Sequence, residues 1–322
     1  MRIRRICAAV VATAAAFALT ACSSAAAPSE SASPSQGAAA AADLTLTTVD
    51  GERTLDAVPE RVVVLDYASL DTLNAVGKSD VVVGTATKSL PESLKSYADV
   101  ENVGTLKEPD FEAIAGLDPD LIIISARLAE QAPQLEEIAP TVNLSSDSKN
   151  WLESVNERAV DLAALFGEEA AAQERVDEIT AAADELRGKA GEAGKTMFVM
   201  SSGGKLSTYG PGGRYGFVFD DLGFVSADEA ATADEARHGK EISFEYIGDK
   251  NPAQLLVIDR DAAIGSEGQA AEQVLDNTIV NATDAAKNDR ITYLDAASWY
   301  LVGGGLDTTK SMIDELSAAI GG

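Results

Sequence analysis

Phe111-Glu112-Ala113-Ile114-Ala115-Gly116-Leu117-Asp118-Pro119-Asp120-Leu121-Ile122-Ile123-Ile124-Ser125-Ala126-Arg127 and, 133 positions further on, Phe244-Glu245-Tyr246-Ile247-Gly248-Asp249-Lys250-Asn251-Pro252-Ala253-Gln254-Leu255-Leu256-Val257-Ile258-Asp259-Arg260 follow one pattern. Each has Phe-Glu-x-Ile, a Pro five residues after the Ile, an apolar run, and an Arg three residues past that run. Chance supplies Ile and apolar matches easily, but not Phe, Glu, Pro and Arg in register. The repeat therefore reads as one supersecondary unit used twice. In open α/β sheets ligands bind beyond the carboxyl ends of the strands. Arg127 and Arg260 stand there, one in each half. Two guanidinium groups facing each other imply an anionic ligand, because each offers a planar fork of donors with permanent charge. The alternative is that each Arg pairs at the surface with a nearby acid such as Asp259 or Asp261.

Outward from the repeat, Arg61-Val62-Val63-Val64-Leu65 and Val81-Val82-Val83-Gly84 are further apolar runs without alternation. Such runs suit strands covered on both faces, as in parallel sheets flanked by helices. Ser69 to Val76 and Pro109 to Gly116 have helical spacing. A second set of strands is expected at Met197-Phe198-Val199-Met200, Leu255-Leu256-Val257-Ile258 and Ile291-Thr292-Tyr293-Leu294. Between the sets, Trp151 to Arg187 contains no Pro and one Gly. Its second part, Glu168 to Arg187, places Ala171, Val176, Ile179, Ala183 and Leu186 at roughly helical intervals. At ~1.5 Å per residue it reaches roughly 30 Å, enough for a strut between two halves or for a plain surface helix.

The amino terminus carries its own signal. Arg2, Arg4 and Arg5 precede an uncharged apolar run from Ile6 to Leu19, the layout of a secretory signal. Leu19-Thr20-Ala21-Cys22 resembles the bacterial lipobox, which implies cleavage before Cys22 and a lipid on its thiol. An ordinary secretory protein with a chance Cys is the alternative. Cys7 then leaves with residues 1–21, and the mature chain has no disulfide. Residues 22–43, nearly all Ala, Ser, Pro and Gly, read as a flexible lipid-anchored tether.

With 322 residues, 46% hydrophobic and 24% charged, the chain has material for two folded lobes. Its 52 acids against 25 Lys and Arg give a net charge of −27, or −30 once residues 1–21 with their three Arg are gone. Phosphate backbones and anionic membrane surfaces repel such a chain, so no nucleic-acid partner is expected. One His, His238, and two Cys exclude a multi-His zinc site and a thiolate cluster. The chain has no Gly-x-Ser-x-Gly elbow, phosphate-binding loop or dinucleotide fingerprint, and with one His it has one candidate base. An enzyme is therefore disfavoured against a binding protein.

Taken together, the lipobox, the tether, the two α/β halves and the linking helix resemble the substrate-binding lipoproteins of bacterial ABC importers. Several segments resemble the iron–siderophore branch: Phe111 to Ile124, the loop Tyr209 to Phe217, His238-Gly239-Lys240, Val257 to Arg260, Tyr293-Leu294-Asp295, and Trp299-Tyr300-Leu301. The likeness covers about residues 44–320. It implies two Rossmann-like lobes with mostly parallel sheets joined by a long helix (the class III periplasmic-binding-protein fold). The lobes are expected at 44–165 and 194–322 and the linking helix at 166–193.

The resemblance also implies roles. Arg127, Arg214 and Arg260 would surround an anionic ferric siderophore of catecholate type. His238 and Tyr300 would ligate the iron directly where the siderophore leaves sites open. Glu112 and Glu245 would dock on arginines of the ABC permease. Iron would travel inside the ligand, with no intrinsic cofactor. The protein would act as a monomer outside the cytoplasm, touching the membrane only through its lipid. Cobalamin or haem binders of the same fold are the alternative reading, and a lipid-anchored enzyme a lesser one.

Elementary chemistry supports several of these roles. Converging guanidinium groups suit a broad anion, and the rings of Tyr215, Trp299 and Tyr300 suit catechol faces. The Gly-rich loop lets backbone approach a ligand while presenting Arg214. Each residue has a plainer reading: a solvated turn for Arg214, a surface or core histidine for His238, a core aromatic for Tyr300, and solvated helix positions for the two glutamates.

Overall fold

A computed structural model describes residues 44–228 and 238–321. The signal peptide at 1–21, the tether at 22–43 and Cys22 lie outside the described residues. A hairpin of β1 (Thr45–Thr48) and β2 (Gly51–Thr54) comes first. Five parallel strands then build a sheet: β3 (Val62–Val64), β4 (Val82–Thr85), β5 (Glu101–Asn102), β6 (Leu121–Ile124) and β7 (Thr141–Asn143). Their order is β5-β4-β3-β6-β7, so the chain direction of growth reverses between β3 and β6. Every residue of β3 and β6 is buried, which is why neither run alternates in polarity.

The strands of the second sheet are β8 (Lys195–Ser202), β9 (Lys205–Tyr209), β10 (Val225–Ser226), β11 (Lys240–Ile242), β12 (Gln254–Asp259) and β13 (Ile291–Tyr293). Their order is β11-β9-β8-β12-β13, with β10 also pairing β8. β8, β12 and β13 are parallel, as the apolar runs predict, and the short β10, which the sequence reading did not contain, pairs parallel with β8. β9 runs antiparallel to β8, and β11 pairs antiparallel with β9 and so runs in the direction of β8; the sequence reading contained neither strand. The tight Gly203-Gly204 turn sends β9 straight back along β8 and makes a hairpin where a parallel crossover would need a helix.

Among the described residues six α-helices have six or more residues: α1 (Tyr67–Ala75), α2 (Phe111–Gly116), α3 (Trp151–Ala164), α4 (Glu169–Ala190), α5 (Phe244–Lys250) and α6 (Leu306–Gly321). Side chains start three of them. The Asp66 carboxylate accepts from the Ser69 amide at 3.0 Å, Asp110 from the Ala113 amide at 3.0 Å, and Ser243 from the Tyr246 amide. Gly167, at φ +74°, breaks the Trp151–Arg187 stretch into α3 and α4. α4 buries Ala172, Val176, Ile179, Ala183, Leu186 and Ala190 along one stripe, packed on α3 and α6.

The repeat is one unit in both halves. α2, β6 and the turn Ala126–Gln131 match α5, β12 and the short helix Arg260–Ala263. Ile114 and Ile247 anchor the two helices with no exposed surface. Even the backbone exit is shared: Asp118 and Asn251, both followed by Pro, adopt left-handed conformations at φ 48° and 41°.

One apolar core surrounds β3 and β6. A second joins β8 and β12 to α3, α4 and α6, and a third covers the other face of β8 and β12. No helix among the described residues is long and apolar enough to cross a membrane.

Candidate functional site

Arg127 follows β6 and Arg260 follows β12, each at the carboxyl end of a strand beside a switch in strand order. Arg214 comes from the Gly-rich loop after β9. All three reach one residue. Arg127 Nη2 donates to the Tyr300 carbonyl at 2.8 Å, and Arg214 Nη2 donates to the same oxygen at 2.9 Å. Arg260 Nε donates to the Tyr300 hydroxyl at 2.9 Å, while its Nη1 reaches Ser202 Oγ at 3.1 Å. The Arg214 guanidinium carbon also lies 4.5 Å from the Tyr300 ring centre.

The backbone explains how Tyr300 can serve all three. It sits in a π-helical turn, Ser298–Val302, closed by the Gly303 amide donating to the Ser298 carbonyl at 2.8 Å. Trp299 belongs to the core on β8 and β12, Leu301 and Val302 to the core on β3 and β6, and Tyr300 packs against both. Carboxylates hold the turn at either end. Glu315 on α6 accepts from Trp299 Nε1 at 2.7 Å and from the Asp295 amide at 2.8 Å. Asp71 on α1 accepts from the Thr308 amide at 3.0 Å, at the start of α6. Gly305 is obligatory here, since a Cβ would fall 2.3 Å from the Asp71 carboxylate.

The electrostatics follow from this convergence. Burial and the neighbouring Arg214 charge push the Arg127 guanidinium below its ordinary value, with Asp66 opposing. Burial raises the Tyr300 phenol, but the Arg260 hydrogen bond and the Arg260 and Arg214 charges outweigh it and hold the phenol below its usual value. Arg260 has Asp261 at 3.5 Å, so for this residue the pairing alternative is partly realised. Among the described residues no carboxylate forms an ion pair with Arg127 or Arg214. Like charges gathered with little counter-charge suit an anion that completes the set.

The expected ring contacts turn out otherwise. Tyr215 and Trp299 are each 2% exposed. Tyr215 stacks on Phe198 at 4.6 Å, with the Arg214 guanidinium 5.2 Å from its ring centre. Trp299 packs on Phe217 at 5.7 Å. Protein covers both rings, so they back the site instead of offering free faces to a catechol. Only the partly exposed Tyr300 ring remains for such a role. His238 is exposed, and its carbonyl accepts from the Tyr209 hydroxyl at 3.0 Å. It stands outside the hydrogen-bonded group around Tyr300. Glu112 and Glu245 are exposed in the first turns of the equivalent helices α2 and α5.

Sequence reasoning missed Ser202, the Tyr300 carbonyl and the Asp71–Gly305 contact. Ser202 had one available signal, its place at the carboxyl end of β8.

Comparison with known proteins decides the family. The chain matches the family described as Periplasmic binding protein over residues 62–297. It belongs to that family. This is a family of binding proteins, not of enzymes. The chain is 40% identical over 261 residues to the petrobactin-binding protein YclQ of Bacillus subtilis, covering 80% of this chain and 81% of that one. The crystal structure of YclQ superposes with a TM-score of 0.82 at 37% identity, over 86% of this chain and 98% of that one. The ferric-anguibactin-binding protein FatB of Vibrio anguillarum is 31% identical over 83% of this chain and 84% of its own. The catecholate-siderophore-binding protein VctP of Vibrio cholerae gives a TM-score of 0.78 at 33% identity, covering 85% of this chain and 99% of that one.

Proposed function

We propose that this member of the periplasmic-binding family captures a ferric siderophore outside the cytoplasm and delivers it to an ABC permease for iron uptake. The observation that carries the reading is the convergence of Arg127, Arg214 and Arg260 on Tyr300, from both sheets, with little carboxylate compensation. The similarity to YclQ, FatB and VctP supports the same ligand class. The ligand is a ferric complex with anionic oxygen donors, of catecholate type. Residues 44–165 and 194–322 serve as the two lobes, and 166–193 as their connection.

Binding needs no covalent step. The anionic complex displaces the arginine donors from Tyr300, and each guanidinium re-forms its hydrogen bonds on a ligand oxygen. Iron is cargo inside the complex. Where a siderophore leaves two coordination positions open, the Tyr300 phenolate and the His238 imidazole fill them; the depressed phenol favours this. The exposed Glu112 and Glu245 then give the permease one carboxylate per lobe, and a lipid on Cys22 keeps the monomer at the membrane.

The experiment is a fluorescence titration of the purified protein with ferric petrobactin, ferric tris-catecholates, ferric hydroxamates, haem and cobalamin. Saturable quenching by the catecholate-bearing complexes, with little by the others, is expected. Preference for haem or cobalamin would refute the reading.

A further inference from the structure

One buried polar atom beside the arginine cluster has no use in the fold. The Tyr215 hydroxyl is enclosed, yet it has no hydrogen-bond partner among the described residues. The ring itself is firmly set. It stacks on Phe198 at 4.6 Å, meets Tyr209 edge-on at 4.9 Å, and lies 6.4 Å from Trp299. Other buried phenols behave differently: Tyr209 donates to the His238 carbonyl, Tyr67 to the Ala86 carbonyl at 2.5 Å, and Tyr97 to the Leu70 carbonyl at 3.0 Å. A buried hydroxyl left unpaired destabilises the free protein, and Phe would fill the same volume without that cost. A Tyr hydroxyl enclosed without an acceptor points to a partner that arrives later.

The position of the hydroxyl indicates which partner. The Arg214 guanidinium carbon lies 5.2 Å from the Tyr215 ring centre. Burial raises the phenol's pKa, and the two cations that oppose this effect are Arg214 and Arg127, from different halves of the chain. The O–H therefore lies in the field of the same charges that converge on Tyr300. A phenol there is a donor placed among cations, where an anionic oxygen is the acceptor that satisfies it.

We infer that Tyr215 recognises the ligand through its hydroxyl, donating a hydrogen bond to an anionic oxygen of the bound ferric complex beneath Arg127 and Arg214. This rests on the functional reading above and deepens it: the ring is wall, and the O–H is a specificity-determining contact. No proton is transferred, since the pKa is raised and the neutral donor is the useful form.

The test compares wild type with Tyr215→Phe in two measurements: melting of the free protein, and titration with ferric petrobactin and a ferric tris-catecholate. The variant is expected to melt at the same or a higher temperature when free, because it sheds an unpaired buried hydroxyl. It should bind the ferric complexes about tenfold to a hundredfold more weakly, the loss of one hydrogen bond to a charged acceptor. A purely structural role would lower both together. Unchanged affinity in Tyr215→Phe, with wild type binding normally, would overturn this inference and leave the functional reading intact. A lowered melting temperature together with weaker binding would also overturn it. Wild type that binds neither complex would refute the functional reading itself.

Discussion

Arg127 and Tyr300, 173 positions apart, meet at 2.8 Å: the guanidinium of one donates to the backbone carbonyl of the other. That oxygen takes Arg214 as well, so the two cations are held side by side by an acceptor that carries no formal charge. The arrangement keeps the donors in place without neutralising them. An anion entering the site exchanges a weaker acceptor for a stronger one.

Arg127→Ala and Arg260→Ala are each expected to weaken binding of a ferric catecholate complex by about 1.5–3 kcal/mol, read by fluorescence titration. Arg127→Lys should recover only part of the loss, because an ammonium lacks the planar fork. If Arg127→Ala and Arg260→Ala bind as wild type does, the site lies elsewhere.

Tyr300→Phe removes the acceptor of Arg260 Nε and a phenol that the arginine charges hold below its usual value. With a siderophore supplying four donors, Tyr300→Phe and His238→Ala should weaken binding and shift the ligand-to-iron charge-transfer band and its circular dichroism. With a six-donor siderophore both should change little. Equal effects on the two ligand types would assign these side chains to packing and hydrogen bonding, not ligation.

Asp71 predicts a pH dependence of stability. Burial raises its carboxyl from 3.8 to about 6; the Thr308 amide and hydroxyl oppose this, and the Asp307 charge adds to it. The Tyr97 phenol also lies in its field. A folded value above the unfolded one means that the folded chain holds the proton more tightly. The contribution is fully present below about 3.8 and is lost as pH rises through about 6, a change of about 3 kcal/mol. Asp71→Asn, which keeps an acceptor for the Thr308 amide, should therefore be more stable than wild type at pH 7 and similar to it at pH 4. Denaturant unfolding at the two pH values checks this. A variant destabilised at pH 7 but not at pH 4 would mean instead that the ionised carboxylate anchors α6 through its charge.

Glu112 and Glu245 occupy equivalent first-turn positions on exposed helix surface. The double change to Ala should leave ligand affinity unaltered and abolish siderophore-dependent iron uptake by cells. Uptake at the normal rate would return both to ordinary solvated positions.

The two halves of the story were written at different ranges in the chain. β3, β6 and β12 were legible because burial on both faces removes polar residues from a local run, and that composition survives in one dimension. The repeated Phe-Glu-x-Ile, Pro and Arg likewise placed Arg127 and Arg260 at strand ends before any contact was known, and α4 followed from its apolar period. The antiparallel β9, and β11 paired on its far side, were not legible, since β9 is a short run whose partner is chosen by a two-glycine turn.

Tertiary structure alone decided what the arginines touch. Their common acceptor is a backbone carbonyl, which has no residue type to read, freed by a π-helical turn that two separate cores hold between them. It also turned Tyr215 and Trp299 from ligand-facing rings into walls, because whether an aromatic face is open depends on what other segments stack against it. Sequence determined which charges this protein brings to its site, because side-chain chemistry is local. Packing determined how they are presented, because burial and convergence are properties of residues far apart in the chain.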